Sequence, residues 1–408
     1  MIKPISELLV LDFSRYLPGG YATQVLADMG ARVIKIEDTD KGDLCRHDYP
    51  IRNNVSFYIS ALGRNKESAS LNLKNTEVQS YLQEVAKKAD VIVESFRPGV
   101  TKKLGVDYET IRAINPSVVY CSITGYGEFD PRSLKVSHDV CVQATTGYLD
   151  INGGVITPLP LVDVAAHSVA TQAIFAALYQ RGATGEGAYV DISMFDTFVW
   201  WNSLIDSRWC FNGGQCTADD LDSPSGANNL YETKDGRYLA FSMIEKKFWD
   251  GFCDAVNAPE LKVVHLHRRW EYPREFEQIE NIVKSRTLAE WEEFFSDKDF
   301  GVEPVLSKDE GIARILEQEP NMLRYVDFPR AGRVLQTGIP HKVSSIPFDL
   351  ASVRECPALG EQTEQFLVEA GASTETIARL AKAGVIGLNN APIEPDRIPV
   401  APRHDRHA

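Results

Sequence analysis

The stretch Leu8–Glu37, LLVLDFSRYLPGGYATQVLADMGARVIKIE, contains one full folding unit. Leu8–Asp12 is an apolar run of strand length, followed by a Ser-Arg-Tyr-Leu-Pro-Gly-Gly turn. Tyr21–Met29 spaces Ala22, Val25, Leu26 and Met29 as one face of a helix, and Gly30 stops it. Ala31–Glu37 is a second strand. Strands joined through a helix run parallel, with a right-handed crossover. The unit recurs in strand Ser68–Leu73, helix Glu77–Ala89 and strand Val91–Ser95, then in helix Tyr108–Ile114 and strand Val118–Thr124. The expected fold class is α/β: a doubly wound, mainly parallel, Rossmann-like sheet. Such sheets bind ligands beyond the carboxyl ends of their strands.

The 408-residue chain is long enough for more than one domain. Residues 1–200 read as the large Rossmann-like domain and 201–229, rich in Trp and then in Gly, Ser and Asp, as a linker. Residues 230–325 read as a smaller α+β domain. It opens on a hairpin around Lys234-Asp235-Gly236 and continues in helices Lys247–Ala258, Arg274–Lys284 and Thr287–Asp297. Residues 326–408 are expected to return to the large domain, ending in a basic tail, Arg397–Ala408, with no core pattern.

Composition is that of a globular protein, with 44% hydrophobic and 25% charged residues, and the net charge of −14 argues against nucleic acid or an anionic membrane as partner. No apolar run reads as a membrane span, and the first residues lack a signal-peptide core. Seven scattered cysteines, Cys216 among them and none in a Cys-x-x-Cys pair, point to a reduced, cytoplasmic protein without structural zinc or any other metal site. Cys141 reads as a half-buried small hydrophobe rather than a nucleophile.

Chemistry concentrates in Cys121–Phe195. A Gly125-Tyr126-Gly127 turn leads to Ser137-His138-Asp139, and a second loop, broken by Gly153, Gly154, Pro158 and Pro160, delivers Asp163 to the mouth of a helix, Asp163–Arg181. The glycine loops expected at or near the carboxyl ends of the strands include Gly19-Gly20, Gly63-Arg64-Asn65-Lys66 and Phe96-Arg97-Pro98-Gly99. None is a P-loop or a dinucleotide fingerprint. Arg64, Lys66 and Arg97 read either as solvated cations or as side-chain clamps for phosphate. By residue chemistry alone His138 is a loop histidine bonding a carbonyl, and Glu245 a helix-starting carboxylate.

Several segments in order resemble the class III CoA transferases and the α-methylacyl-CoA racemases that share their fold. They are VLDFSRYLPGGYATQVLADMGARVIKIE, LGRNKESASLNLK, VIVESFRPGVTKKLGVDYETIRAINPSVVYCSITGYG and LVDVAAHSVATQAIFAALYQRGATGEGAYVDISMFD, and they span almost the whole chain. The resemblance implies an acyl-CoA thioester as substrate, with no permanently bound cofactor. It implies CoA contacts from Arg64, Lys66 and Arg97 and from the turn Gly125, Tyr126 and Gly127. It also implies an interlaced homodimer and places the catalytic aspartate at Asp163. Two positions depart from the family pattern: Gly20 stands where proline is usual and Glu67 where arginine is usual.

Two chemistries belong to this resemblance. In the transferases the aspartate is a covalent nucleophile that carries CoA as an aspartyl thioester to a second acid. In the racemases it is one of two acid/base groups across an α-carbon, faced by a histidine that a glutamate orients. Ser137-His138-Asp139 and Ser242-Met-Ile-Glu245 resemble the racemase segments, and backbone N–H groups at the Asp163 helix start would hold the enolate. The first expectation is therefore a 2-methylacyl-CoA racemase using Asp163, His138 and Glu245. The alternative is a CoA transferase, favoured by Gln143-Ala-Thr-Thr-Gly147 and by Leu159 where a racemase has asparagine. A non-catalytic acyl-CoA-binding paralogue is the third reading.

Overall fold

The computed structural model describes residues 3–214 and 224–388. Cys216, part of the 201–229 segment and the Arg397–Ala408 tail lie outside the described residues. Two compact units emerge: one from the chain up to Asp150, Gly154–Leu204 and the chain from Glu319 onward, the other from Ile151–Gly153 and Ile205–Gln318.

The first unit is organised by a seven-stranded sheet. In chain order its strands are β1 (Leu9–Phe13), β2 (Arg32–Glu37), β3 (Glu67–Leu71), β4 (Val91–Glu94), β5 (Val119–Thr124), β6 (Ala188–Ser193) and β7 (Ile386–Gly387). Their spatial order is β7-β3-β2-β1-β4-β5-β6, all parallel except β7, which runs antiparallel to β3 on the edge. The order of strand addition reverses between β1 and β4, the switch point where doubly wound sheets open a crevice.

Both faces of the sheet are covered, which is why its strands read as near-continuous apolar runs. Leu11, Ile34, Ala69, Ile92 and Tyr120 pack on one side with residues of helices Thr76–Ala86, Tyr108–Ile114, Thr363–Glu369 and Thr374–Lys382. Val10, Val33, Val93, Val119 and Cys121 pack on the other with helices Leu17–Asp28 and Leu161–Thr184. The latter is long and apolar enough, by length and composition, to cross a membrane, which corrects the expectation that no segment reaches that length. Here Val162, Ala166, Ala170 and Ile174 of this helix pack among the sheet residues.

A hairpin of Leu323–Phe328 and Gly332–Thr337 returns to the first unit and packs Phe328 and Ala331 over Cys45, Val55 and Ile59. The second unit has a three-stranded antiparallel sheet, with Tyr238–Ser242 central between Asn228–Glu232 and Val302–Pro304. Trp249, Phe252, Phe276 and Trp291 fill its core. The hairpin turns at Gly236, whose φ of +71° suits glycine. The first part of the segment read as a linker is helical, Ser203–Phe211.

Candidate active site

Asp163 is the third residue of the helix Leu161–Thr184, whose N-cap position is Pro160 and so offers no capping side chain. The cap comes from another element. The carboxylate of Asp139, first residue of helix Asp139–Thr145, accepts from the backbone N–H of Val162 at 2.7 Å and of Asp163 at 3.4 Å. Gln143 donates to the other Asp139 oxygen and fixes the carboxylate. The N–H groups expected to face an enolate are thus engaged by Asp139. Asp139 was missed by the sequence reading, although it directly follows His138. Its role depends on two helices meeting, which no local pattern encodes.

The Asp163 carboxyl is half-buried, and burial, reinforced by the nearby Asp139 charge, pushes its pKa from 3.8 up to about 7. No ion pair to Asp163 occurs among the described residues. A cavity of about 530 Å³ is lined by Pro160, Val164 and His167, which flank Asp163 along the same segment, and by Leu17, Tyr21 and Tyr58 from the elements opposite. Burial raises the Tyr58 hydroxyl pKa, and the Asp163 charge adds to the shift.

The other residues singled out from sequence fall in several places. His138 is exposed, occupies the N-cap position of helix Asp139–Thr145 and makes no side-chain capping bond. Glu245 belongs to the second unit, exposed at the N-cap position of helix Lys246–Ala255, also without a side-chain capping bond. Cys141 is exposed rather than half-buried. The turn Gly125-Tyr126-Gly127 follows β5. Gly127 has a φ of +84°, and a Cβ on Gly125 would lie 2.9 Å from that of Ser137, so this turn sets the course of the loop carrying His138. Tyr126 is buried, with the Arg132 guanidinium 4.5 Å from its ring centre.

Arg64 and Lys66 sit in the loop entering β3, at its amino end, and both are buried. Arg64 grips Asp28 from Nη2 at 2.6 Å and also donates to Gln336 and Thr337 of the return hairpin. The ammonium of Lys66 bonds the Asp12 carboxylate at 3.0 Å, the Gly20 carbonyl at 2.9 Å and the Thr23 hydroxyl at 2.7 Å. Glu67, the departure from the family pattern, is gripped by Arg32 at 2.8 Å, and Arg32 also binds Glu369. The loop is occupied with holding the chain together, which corrects its placement at a carboxyl end.

Lys66 belongs to a buried charge network under the switch point. Lys35 bonds the Ser14 carbonyl at 2.7 Å and pairs with Asp43 at 2.7 Å, and Arg46 pairs with Glu37 at 2.6 Å. Burial alone would raise Asp12, but Lys35 and Lys66, with hydrogen bonds from Ser14 and Thr23, hold it at about 2. Burial is likewise overridden at Glu37 by Arg46, which holds that carboxyl at about 2. The Glu37–Arg46 pair and the Lys35–Asp43 pair pin the loop after β2.

That loop walls a cleft of about 820 Å³ at the switch point, lined by Phe13–Arg15, Ile36–Leu44, Leu71–Lys74 and Ser95–Arg97. Arg97 and Lys74 are exposed here, and neither side chain makes an ion pair or hydrogen bond among the described residues. The turn after β1 links cleft and cavity. Ser14 and Arg15 line the first and Leu17 lines the second, with Tyr16 between them in the left-handed region at φ 58°.

A profile of CoA-transferase family III matches residues 5–363. The human succinyl-CoA:glutarate CoA-transferase (Homo sapiens) is 30% identical over 403 residues, covering 94% of this chain and 90% of its own. The acetyl-CoA:oxalate CoA-transferase of Acetobacter aceti is 31% identical over 353 residues, covering 84% and 89%. A crystal structure of a CaiB/BaiF family protein from Brucella suis superposes with a TM-score of 0.79 at 22% identity, over 91% of this chain and 100% of that one. These two relatives are named as transferases and lend no support to the racemase expectation.

Proposed function

The chain belongs to CoA-transferase family III and is an enzyme of the class III CoA-transferase type, and from that premise we propose that it moves CoA between an acyl-CoA and a free carboxylic acid through Asp163. The observation that carries this reading is a half-buried carboxyl, its pKa raised to about 7, flanked along its helix by residues that line an open cavity and with no cation paired to it among the described residues. A carboxylate stripped of water and counter-ion is a stronger nucleophile once ionised.

In the proposed sequence an Asp163 oxygen adds to the thioester carbonyl, the C–S bond breaks and CoA leaves as thiolate, giving a mixed anhydride. The thiolate then adds to the Asp163 carbonyl and releases the donor acid as carboxylate, leaving an aspartyl-CoA thioester. The acceptor carboxylate displaces the thiolate to form a second anhydride. Attack of the thiolate on the new acyl carbonyl releases product and restores Asp163. No electron leaves or enters the cycle.

The switch-point cleft supports a CoA site. Its exposed, unpaired Arg97 and Lys74 offer the guanidinium and ammonium that phosphates take. We assign Arg97 to phosphate contact and Arg64 and Lys66 to supporting the loops. The thioester would then pass over the Tyr16 turn toward Asp163. His138 has no acid/base duty in this cycle. A homodimer is supported by the large apolar side chains that the first unit leaves exposed: Phe129 82%, Tyr179 73%, Trp200 61% and Leu204 81%. The unpaired thiols of the described cysteines support a reducing, cytoplasmic setting.

The test is acyl-CoA incubation with and without an acceptor acid, followed by hydroxylamine trapping and peptide mass analysis. The expected outcome is CoA exchange that requires the acid, an adduct at Asp163, and retention of exchange in His138→Ala. α-Proton exchange in deuterium oxide without an acceptor, abolished in His138→Ala, would overturn the transfer reading in favour of racemisation.

A further inference from the structure

The cavity beside Asp163 has one chemical character throughout. Leu17, Leu62, Leu159 and Val164 are among the side chains that line it, and no lysine or arginine is among its lining residues. Its polar side chains are Tyr21, Tyr58 and His167. His167 lies one helical turn beyond Asp163 and so on the same face of the helix. Its ring is 5.1 Å from that of Tyr21, and its Nδ1 is buried with no hydrogen-bond partner among the described residues. Burial lowers its pKa, so the imidazole stays uncharged.

We propose, building on the CoA-transfer reading above, that this cavity receives the acyl chain and selects uncharged, apolar acyl groups, with His167 as a specificity-determining residue at its wall. A second ionised carboxylate on the acid would enter a space lined by no cation among the described residues, on the helix turn that carries Asp163, whose own carboxyl feels the Asp139 charge. Desolvation without a partner and like-charge repulsion both oppose it. At about 530 Å³ the cavity is in the range that encloses a sizeable ligand, so a branched or medium-length chain fits better than a one- or two-carbon group.

The test uses the full-length enzyme with 3-methylbutanoyl-CoA as donor and equal concentrations of butanoate, 3-methylbutanoate, succinate or glutarate as acceptor, reading kcat/KM from the new CoA ester. The monoacids are expected to lead the diacids by about 100-fold. His167→Arg, which sets a cation in the cavity wall, is expected to shrink that ratio to about tenfold or less. Leu159→Lys places the cation at a side chain that is 54% exposed and tolerant of change, and is expected to act in the same direction if the first variant does not fold. Diacids used as well as monoacids, with the Asp163 adduct still trapped, would overturn the selectivity while leaving CoA transfer in place. Absence of CoA exchange with every acid, and of any adduct, would overturn both.

Discussion

Asp12 and Asp163 are two shielded carboxylates on the same side of one sheet, and their surroundings drive them in opposite directions. Asp12, fully buried, faces Lys35 and Lys66 and stays ionised, with its pKa held at about 2. Asp163 keeps a partial opening to solvent but has no ion-pair partner among the described residues and a like charge close by, and its pKa rises to about 7. Burial acts alike on both. The cations decide the outcome: a paired carboxylate stays ionised as a fixed part of the framework, and an unpaired one keeps its proton to higher pH, as the proposed nucleophile does.

The sharpest way to break that contrast is to remove the proposed nucleophile. Asp163→Asn keeps shape and removes the nucleophile, and CoA exchange is expected to fall by about 10⁴-fold or more. On the structural side, Lys66→Met strips Asp12 of its closest cation and leaves a buried charge undercompensated. Denaturant unfolding at pH 7 should show a loss of about 3–5 kcal/mol, and Arg64→Met a similar loss through Asp28.

The two carboxylates also differ in how pH acts on them. Asp163 binds its proton more tightly folded than unfolded, so the stability it contributes is complete below about 4 and is lost as pH rises through about 7. Asp163→Asn should therefore unfold later than the parent at pH 8, by about 2 kcal/mol once its solvent-facing side is allowed for, and near pH 4 the gain should vanish. Asp12 and Glu37 have the opposite sign: their stabilisation is present at neutral pH and lost as pH falls from the ordinary carboxylate range toward about 2. The kcat/KM profile should rise on its acid limb with an apparent pKa near 7.

Smaller effects test the edges of the comparison. Arg97→Ala removes an exposed cation that pairs with nothing among the described residues. It should raise KM for the acyl-CoA about tenfold without moving the unfolding midpoint, the reverse of the Lys66 and Arg64 variants. Asp139→Asn keeps an oxygen to accept from Val162 but removes the charge. The acid limb is expected to move to lower pH by less than about one unit, with little loss of stability.

Much of the fold was legible because it rests on local rules. The alternation of apolar strands with helices of 3.6-residue spacing gave β1, β2, β4 and β5 and their parallel order within a residue or two of their ends. The short edge strand Ile386–Gly387 was not legible, since two residues carry no period. The site was legible in part. Proline and glycine breaks before an apolar helix placed Asp163 at a helix start, and only the family resemblance singled it out as the candidate catalytic residue. Arg64, Lys66 and Arg97 looked alike as cations in glycine-bearing loops, and the fold separates them: two at the amino end of β3 bind Asp28 and Asp12, and one beyond β4 faces the cleft.

By itself, then, the sequence determined the α/β class and the order of the units, because periodicity and turn chemistry act over a few neighbours, and its resemblance to a family singled out Asp163. Only the tertiary structure decided which charges meet. The Asp139 carboxylate reaches a helix start 23 residues away, and Arg64 reaches Gln336 across 272 residues. Whether a carboxylate is neutralised or left alone depends on contacts of that range, and so does whether it is held at about 2 or poised at about 7.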